Sequence, residues 1–195
     1  MPRPPQIILA SVSPHRRRLL ARLRIDFKCV APRVDETEIP GEPPAARALR
    51  LAEEKARAPA AQYPGALILG GDQTISGGGR LFDKPGNAKN AAAQLREMRG
   101  KELHFFTAAA LYNAKTGALE SRLVSHRAVF RNLADREIAR YIKAEPSFNC
   151  AGGAQIEGLG VSLLESMEGG DPAAVVGMSL IDAAAMLRAQ GVKIP

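Results

Sequence analysis

The chain has 195 residues, 46% hydrophobic and 24% charged, the composition of a water-soluble globular protein long enough for one large domain or two intimate lobes. Its net charge is +7, with 12 Lys/Arg against 7 Asp/Glu in residues 1–60 and 15 against 13 in the remainder, so an acidic partner is expected near the first third. No stretch approaches the roughly 18 apolar residues of a membrane span, two distant cysteines exclude four-cysteine zinc and C-x-x-C chemistry, and aromatics at 5% without tryptophan make a poor stacking platform for single strands.

The opening "MPRPPQ" lacks the apolar core of a signal peptide. Together with the cysteine usage, this gives a reducing cytoplasm as the expected setting. In "QIILASVSPHRRRLL" an apolar run, Ile7 to Ala10, reads as a short buried strand. Ser13 followed by Pro14 then reads as the N-cap and first turn of a helix. Arg16, Arg17 and Arg18 therefore fall in a first turn, where the helix dipole disfavours cations. With Leu19, Leu20 and Leu23 facing the core, the helical wheel puts Arg16 at the centre of that face, Arg17 on its flank and Arg18 away from it. A strand end meeting a helix N-terminus is an anion site, and cations added there suit a bound polyanion. The alternative is a solvated basic helix start, which is the better reading for Arg18.

"FKCVAP" (Phe27 to Pro32) predicts a second strand, and Pro43 to Ala58 a helix with Ala45, Leu49, Ala52 and Ala56 on one face. Ala66 to Ile75 reads as a buried strand interrupted by Gly-Gly, followed by a turn over Gly77 to Arg80. Asn87 and Gly100 are candidate caps of the next helix. Two strands, "LHFFTAAALYN" and "ESRLVSHRAVF", join through "AKTG". A helix around "DREIARYIKAE", a Gly-rich region, a strand near "GVSLLES", a loop "EGGDPAAVVGMS" and a last helix "LIDAAAMLRAQG" complete the chain. Strands alternating with helices, plus a central hairpin, predict an α/β fold with a mixed sheet flanked by helices.

Charged groups recur at the ends of apolar runs. Glu36 follows the second strand, Asp72 closes "LILGGD", and Lys84 stands in "FDKPG" before a helix. In open α/β sheets ligands bind beyond the carboxyl ends of strands, so these residues are expected to share a crevice with Arg16 and Arg17. Lys55, on the flank of its helix's apolar face, either joins them or is a snorkelling stem. Two carboxylates among cations suit metal-assisted phosphoryl chemistry, the carboxylates holding a divalent ion and the cations a polyphosphate. Alternatively Asp72 bonds its own turn and Glu36 is a surface acid. No G-x-x-x-x-G-K-[ST], H-E-x-x-H, G-x-S-x-G or G-x-G-x-x-G occurs. The histidines have no ligand spacing, and His104 and His126 read as ordinary strand residues.

Over essentially its whole length the chain resembles the Maf family of nucleoside triphosphate pyrophosphatases. The resemblance rests on "LASVSPHRRRLL", "APRVDET", "LAEEKA", "GGDQT", "DKPGNAKNA", "NCAGGAQIEGLG" and "GGDPAAVVGMSL" in this order. It implies one Maf/ITPase-like domain over residues 1–195, with two lobes around a deep cleft, often as a homodimer. It also implies hydrolysis of a phosphoanhydride bond, taking a nucleoside triphosphate to monophosphate and pyrophosphate with a divalent metal, Mg or Mn. No membrane or stable nucleic-acid partner is expected.

By the same resemblance Asp72 is the catalytic acidic residue, a base or water-positioner, and it holds the metal with Glu36. Ser11, Arg16, Arg17, Glu36, Lys55 and Lys84 match the positions that bind the triphosphate. Gln73 and Glu157, where the thymidine/uridine-triphosphate branch has threonine and glutamine, resemble the branch acting on 7-methyl-GTP. His15 stands where that branch typically carries tryptophan, and "GMSL" replaces the usual G-L-P-L. A dTTP/UTP pyrophosphatase of the same family, or a nucleotide- or RNA-binding module without turnover, remains the alternative reading.

Overall fold

A computed structural model describes residues 5–195. Strand β1 (Ile7–Ala10) is buried throughout. Ser13 ends the following turn as N-cap of α1 (Pro14–Ala21), its hydroxyl accepting from the Arg16 amide at 3.4 Å. Strand β2 (Lys28–Val30) pairs with β1 in parallel, and β3 (Leu67–Gly77) pairs in parallel on the other side of β1. Helix α2 (Pro44–Arg57) supplies the crossover between β2 and β3. A two-residue turn then returns β4 (Arg80–Leu81) antiparallel to the end of β3.

Helix α3 (Ala88–Met98) starts at the expected cap, Asn87, whose side chain accepts from the Asn90 amide at 2.9 Å. The long strands β5 (Glu102–Asn113) and β6 (Leu119–Phe130) follow, then α4 (Asp135–Ala144), β7 (Leu164–Gly169) and α5 (Leu180–Ala189). Sheet order is β2-β1-β3-β5-β6-β7, with β4 attached to β3 and β7 antiparallel to β6. The mixed, helix-flanked sheet is thus the one that the alternation of elements predicts. Among the described residues no helix is long and apolar enough to cross a membrane.

Three local expectations need correction. The Gly-Gly pair does not interrupt its strand: β3 runs unbroken for 11 residues, so Asp72 sits inside it rather than at its end. Ladder hydrogen bonds need no side chain, and Gly70 has a packing reason instead. A Cβ there would collide with the backbone of Ala52 and Ala56, so its absence lets α2 lie directly on β3. The buried face of α2 is also rotated from the expected one, to Ala48, Leu51, Ala52, Lys55 and Ala56, with Ala45 and Leu49 half-buried. Finally, β7 begins at Leu164, because Leu159–Leu163 forms a short 3-10 turn.

The chain divides into two compact units, each assembled from separated segments. The first comprises Met1–Gln73, Thr107–Val124 and Asp171–Pro195, of which the four N-terminal residues are outside the described part. Its parallel strands β1 and β3 are buried on both faces, as parallel strands in the middle of a sheet usually are. Ile7, Leu9, Leu67 and Leu69 pack with Leu20 of α1, Leu187 of α5 and Met178 just before α5. Ile8, Ala10 and Ile68 form a second cluster on the opposite face. The other unit comprises Thr74–Phe106 and Ser125–Gly170. Its core gathers Ile75, Leu95, Phe105, Phe130, Ile138 and Tyr141.

Candidate active site

Strand alternation decides where the polar end of β3 points. Residues 68, 70 and 72 share one face and 69, 71 and 73 the other. Asp72 therefore lies on the face where α2 meets Gly70, and Lys55, one turn from Ala52 on α2, reaches it. Lys55 Nζ lies 2.7 Å from Asp72 Oδ1 and 2.7 Å from Glu36 Oε1. Lys55 and Asp72 are 5% and 8% exposed, whereas the Glu36 side chain is 57% exposed. One ammonium thus joins a buried carboxylate to one that meets solvent. This disposes of two of the sequence alternatives: Lys55 does not snorkel, and Asp72 does not bond a turn of its own.

On the other face, Gln73 donates from Nε2 to Thr107 Oγ1 at 2.9 Å, Ala174 O at 3.1 Å and Val175 O at 3.0 Å. Carbonyls only accept, so the amide nitrogen must point at this loop and Oε1 is left as the acceptor. Arg16 reaches the same loop, Nε donating to Gly177 O at 2.8 Å. Burial, the largest influence, pulls the Arg16 guanidinium below its ordinary value, and the charges of Asp72 and then Glu36 pull it back up. Arginine nevertheless stays protonated. It is a partly desolvated cation, and no ion pair joins it to a carboxylate among the described residues. An anion placed there gains from that charge.

Of the other residues named from sequence, Ser11 is buried at the end of β1, its hydroxyl accepting from the Ser13 amide at 3.2 Å. Arg17 is exposed on α1. His15 Nδ1 lies 3.1 Å from Arg18 Nη2; because arginine only donates, that nitrogen carries a lone pair here. Arg18, which sequence reasoning leaves unassigned, is thereby the side chain that steadies the His15 ring. Lys84 and Glu157 belong to the other unit and are exposed. The Lys84 segment is pinned by Gly152 N to Asp83 O at 3.1 Å and Gly86 N to Phe148 O at 3.0 Å. Glu157 lies in the turn closed by Gly158 N to Gln155 O at 3.0 Å.

The structure therefore brings together Glu36, Lys55 and Asp72, and has Arg16 and Gln73 both donating to carbonyls of one loop. Thr107 and the carbonyls of Ala174, Val175 and Gly177 were not legible as site components, since backbone acceptors leave no mark in side-chain type. The donor set suits a hard divalent cation. An ammonium already bridges the two carboxylates, so a positive charge is accommodated between them, and Mg²⁺ takes one or two carboxylates plus substrate phosphates and waters. No group of three or more His, Cys, Asp or Glu side chains forms a complete metal cage among the described residues, so phosphate oxygens and waters would complete the shell.

Comparison with known proteins places this site in context. The chain is 47% identical over 97% of its length to a protein of Albidiferax ferrireducens, covering 95% of that protein. It is 46% identical to one of Aromatoleum aromaticum, with 97% and 98% of the two chains covered. Against one of Nitrosospira multiformis the identity is 48%, with 97% and 96% covered. All three bear the name 7-methyl-GTP pyrophosphatase. The family profile described as Maf-like protein matches residues 6–190, and with nearly the whole chain matched, this protein belongs to the Maf family.

Proposed function

We propose that this protein hydrolyses 7-methyl-GTP to 7-methyl-GMP and pyrophosphate. The observation that carries the reading is the Glu36–Lys55–Asp72 cluster, found in a chain whose relatives over 97% of its length are named for that reaction. In the proposed step water attacks the α-phosphorus, the bond from that phosphorus to the oxygen bridging the α- and β-phosphates breaks, and pyrophosphate departs with that oxygen.

Asp72 orients the water and accepts its proton; Lys55, holding Oδ1, fixes the carboxylate so that Oδ2 faces the reaction. Arg16, with Nε tied to Gly177, directs its terminal nitrogens to the phosphates, and Arg17, Ser11 and Lys84 add further donors. A bound Mg²⁺ or Mn²⁺, held by Glu36 and Asp72, would neutralise phosphate charge. Glu157 accepts from guanine N1–H and the exocyclic amine, and its negative charge favours a cationic methylated ring. His15 offers a face for stacking, and Gln73 retains Oε1 as an acceptor. Cysteine usage supports a cytoplasmic setting, and the homodimer implied by the resemblance is proposed on that ground alone.

The test is pyrophosphate release from 7-methyl-GTP, GTP, dTTP and UTP with Mg²⁺ or Mn²⁺, compared as kcat/KM because discrimination is a ratio of those values. The expected result is a preference for 7-methyl-GTP over GTP. Preference for dTTP or UTP would move the protein to the other branch of the family. No turnover, with salt-sensitive RNA binding, would make it a binding module.

A further inference from the structure

Asp171 has no part in the reaction described above, yet it is a buried carboxylate with every oxygen engaged. Oδ1 accepts from Ala173 N at 2.8 Å, and Oδ2 accepts from Ser179 Oγ at 3.1 Å and from Ile181 N at 2.9 Å. These donors come from both ends of one loop: residue 173 just after its start, residues 179 and 181 at the beginning of α5. Burial pushes the Asp171 carboxyl up, but the amides of Ile181 and Ala173, the Ser179 hydroxyl and the Leu180 amide together outweigh it and hold the group below its ordinary value. The carboxylate is therefore the stable form, and the clamp is a charged one.

Between its two clamped ends the loop presents three backbone carbonyls to the residues of the site. Ala174 O and Val175 O accept from Gln73 Nε2, Ala174 O also accepts from Thr107 Oγ1 at 2.9 Å, and Gly177 O accepts from Arg16 Nε. Gly177 holds φ at +124°, a conformation that side-chain-bearing residues rarely adopt, and it lies against the Arg16 side chain. The planar guanidinium has a rigid fork of donors. Fixing Nε therefore fixes where both terminal nitrogens point.

We propose that Asp171 is a positioning residue for phosphate binding: by clamping the loop over residues 171–179 to the start of α5, it sets the Gly177 carbonyl that aims Arg16. The proposal rests on the reading that Arg16 meets phosphate, and on nothing about the base. A loop displaced by a fraction of an ångström leaves Arg16 folded and charged but aimed elsewhere, and such misplacement is costly to function out of proportion to its effect on stability. Asp171→Asn introduces this displacement, because its amide group sets an N–H against one of the three donors.

A double-mutant cycle separates positioning from general support of the fold. The probe is inorganic tripolyphosphate, titrated calorimetrically in magnesium buffer against the wild-type protein, Asp171→Asn, Arg16→Ala and the double variant. Asp171→Asn is expected to weaken affinity about tenfold in the wild-type background and less than twofold where Arg16 is already absent, a coupling of the size found between connected residues. Ser179→Ala, which removes one donor of three, gives the same pattern at smaller amplitude and serves if Asp171→Asn does not fold.

Equal losses in both backgrounds, or unchanged affinity in the Asp171 variant, would overturn the proposal. So would failure of the wild-type protein to bind tripolyphosphate. Tripolyphosphate binding with the expected coupling but no nucleotide turnover would instead count against the proposed reaction alone.

Discussion

Lys55 is the residue on which local and tertiary signals disagree most. Its helical-wheel position, flanking an apolar face, fits a stem lying along the surface with its charge in water. In the structure it is 5% exposed, and the desolvation of an ammonium is tolerable only because two carboxylates meet it at 2.7 Å. The deciding partners come from residues 36 and 72, and a wheel of one helix cannot show them. Arg16 was legible by contrast, since its place on the core-facing side of α1 follows from the local pattern of Leu19, Leu20 and Leu23. Lys55→Met is expected to leave Asp72 buried beside Glu36 without its ammonium partner and to destabilise the fold by about 1–3 kcal/mol. The check is the denaturation midpoint at unchanged m-value; an unmoved midpoint would mean that the pair adds nothing to stability.

At the scale of elements, caps and periodicity carried most of the reading. Ser13-Pro14 and Asn87 begin helices where their side chains predict, because capping is a local contest between side chain and backbone. The Gly-Gly of β3 misled, because glycine is a break signal in isolation and a packing signal in context. Gly70 is required by the backbone of α2, which approaches too closely for any Cβ. Gly70→Ala is therefore expected to push α2 from the sheet, cost about 1–3 kcal/mol and, by shifting Lys55 with the helix, lower kcat. Chemical denaturation alongside turnover tests both parts. Retention of both wild-type values would show that the helix can give way without cost. The loop before α5 was legible as a loop, but its carbonyl contacts with Arg16 and Gln73 were not.

For the molecule as a whole, the α/β class followed from the alternation of strand and helix patterns, while the division into units did not. Each unit collects separated segments, and β3, β5 and β6 each contribute residues to both, so no linker or composition change marks a boundary. Of the residues proposed for triphosphate binding and hydrolysis, Ser11, Arg16, Arg17, Glu36, Lys55 and Asp72 fall in one unit and Lys84 in the other, which also holds Glu157, proposed for base selection. Hydrolysis and choice of base are assigned to different side chains, so Glu157→Gln should lower the kcat/KM ratio of 7-methyl-GTP to GTP more than it lowers kcat/KM for GTP. Equal losses on both nucleotides would deny Glu157 a role in selection.

Hydrolysis itself is tested most directly by Asp72→Asn, an isosteric change that keeps a partner for Lys55 and removes the charge and the proton acceptor. With 7-methyl-GTP and Mg²⁺, pyrophosphate release is expected to fall by about 10²–10⁴-fold, the usual scale of a lost general base, with the circular dichroism spectrum unchanged. Release at the wild-type rate from the folded variant would contradict the assignment of the Glu36–Lys55–Asp72 cluster as the hydrolytic centre.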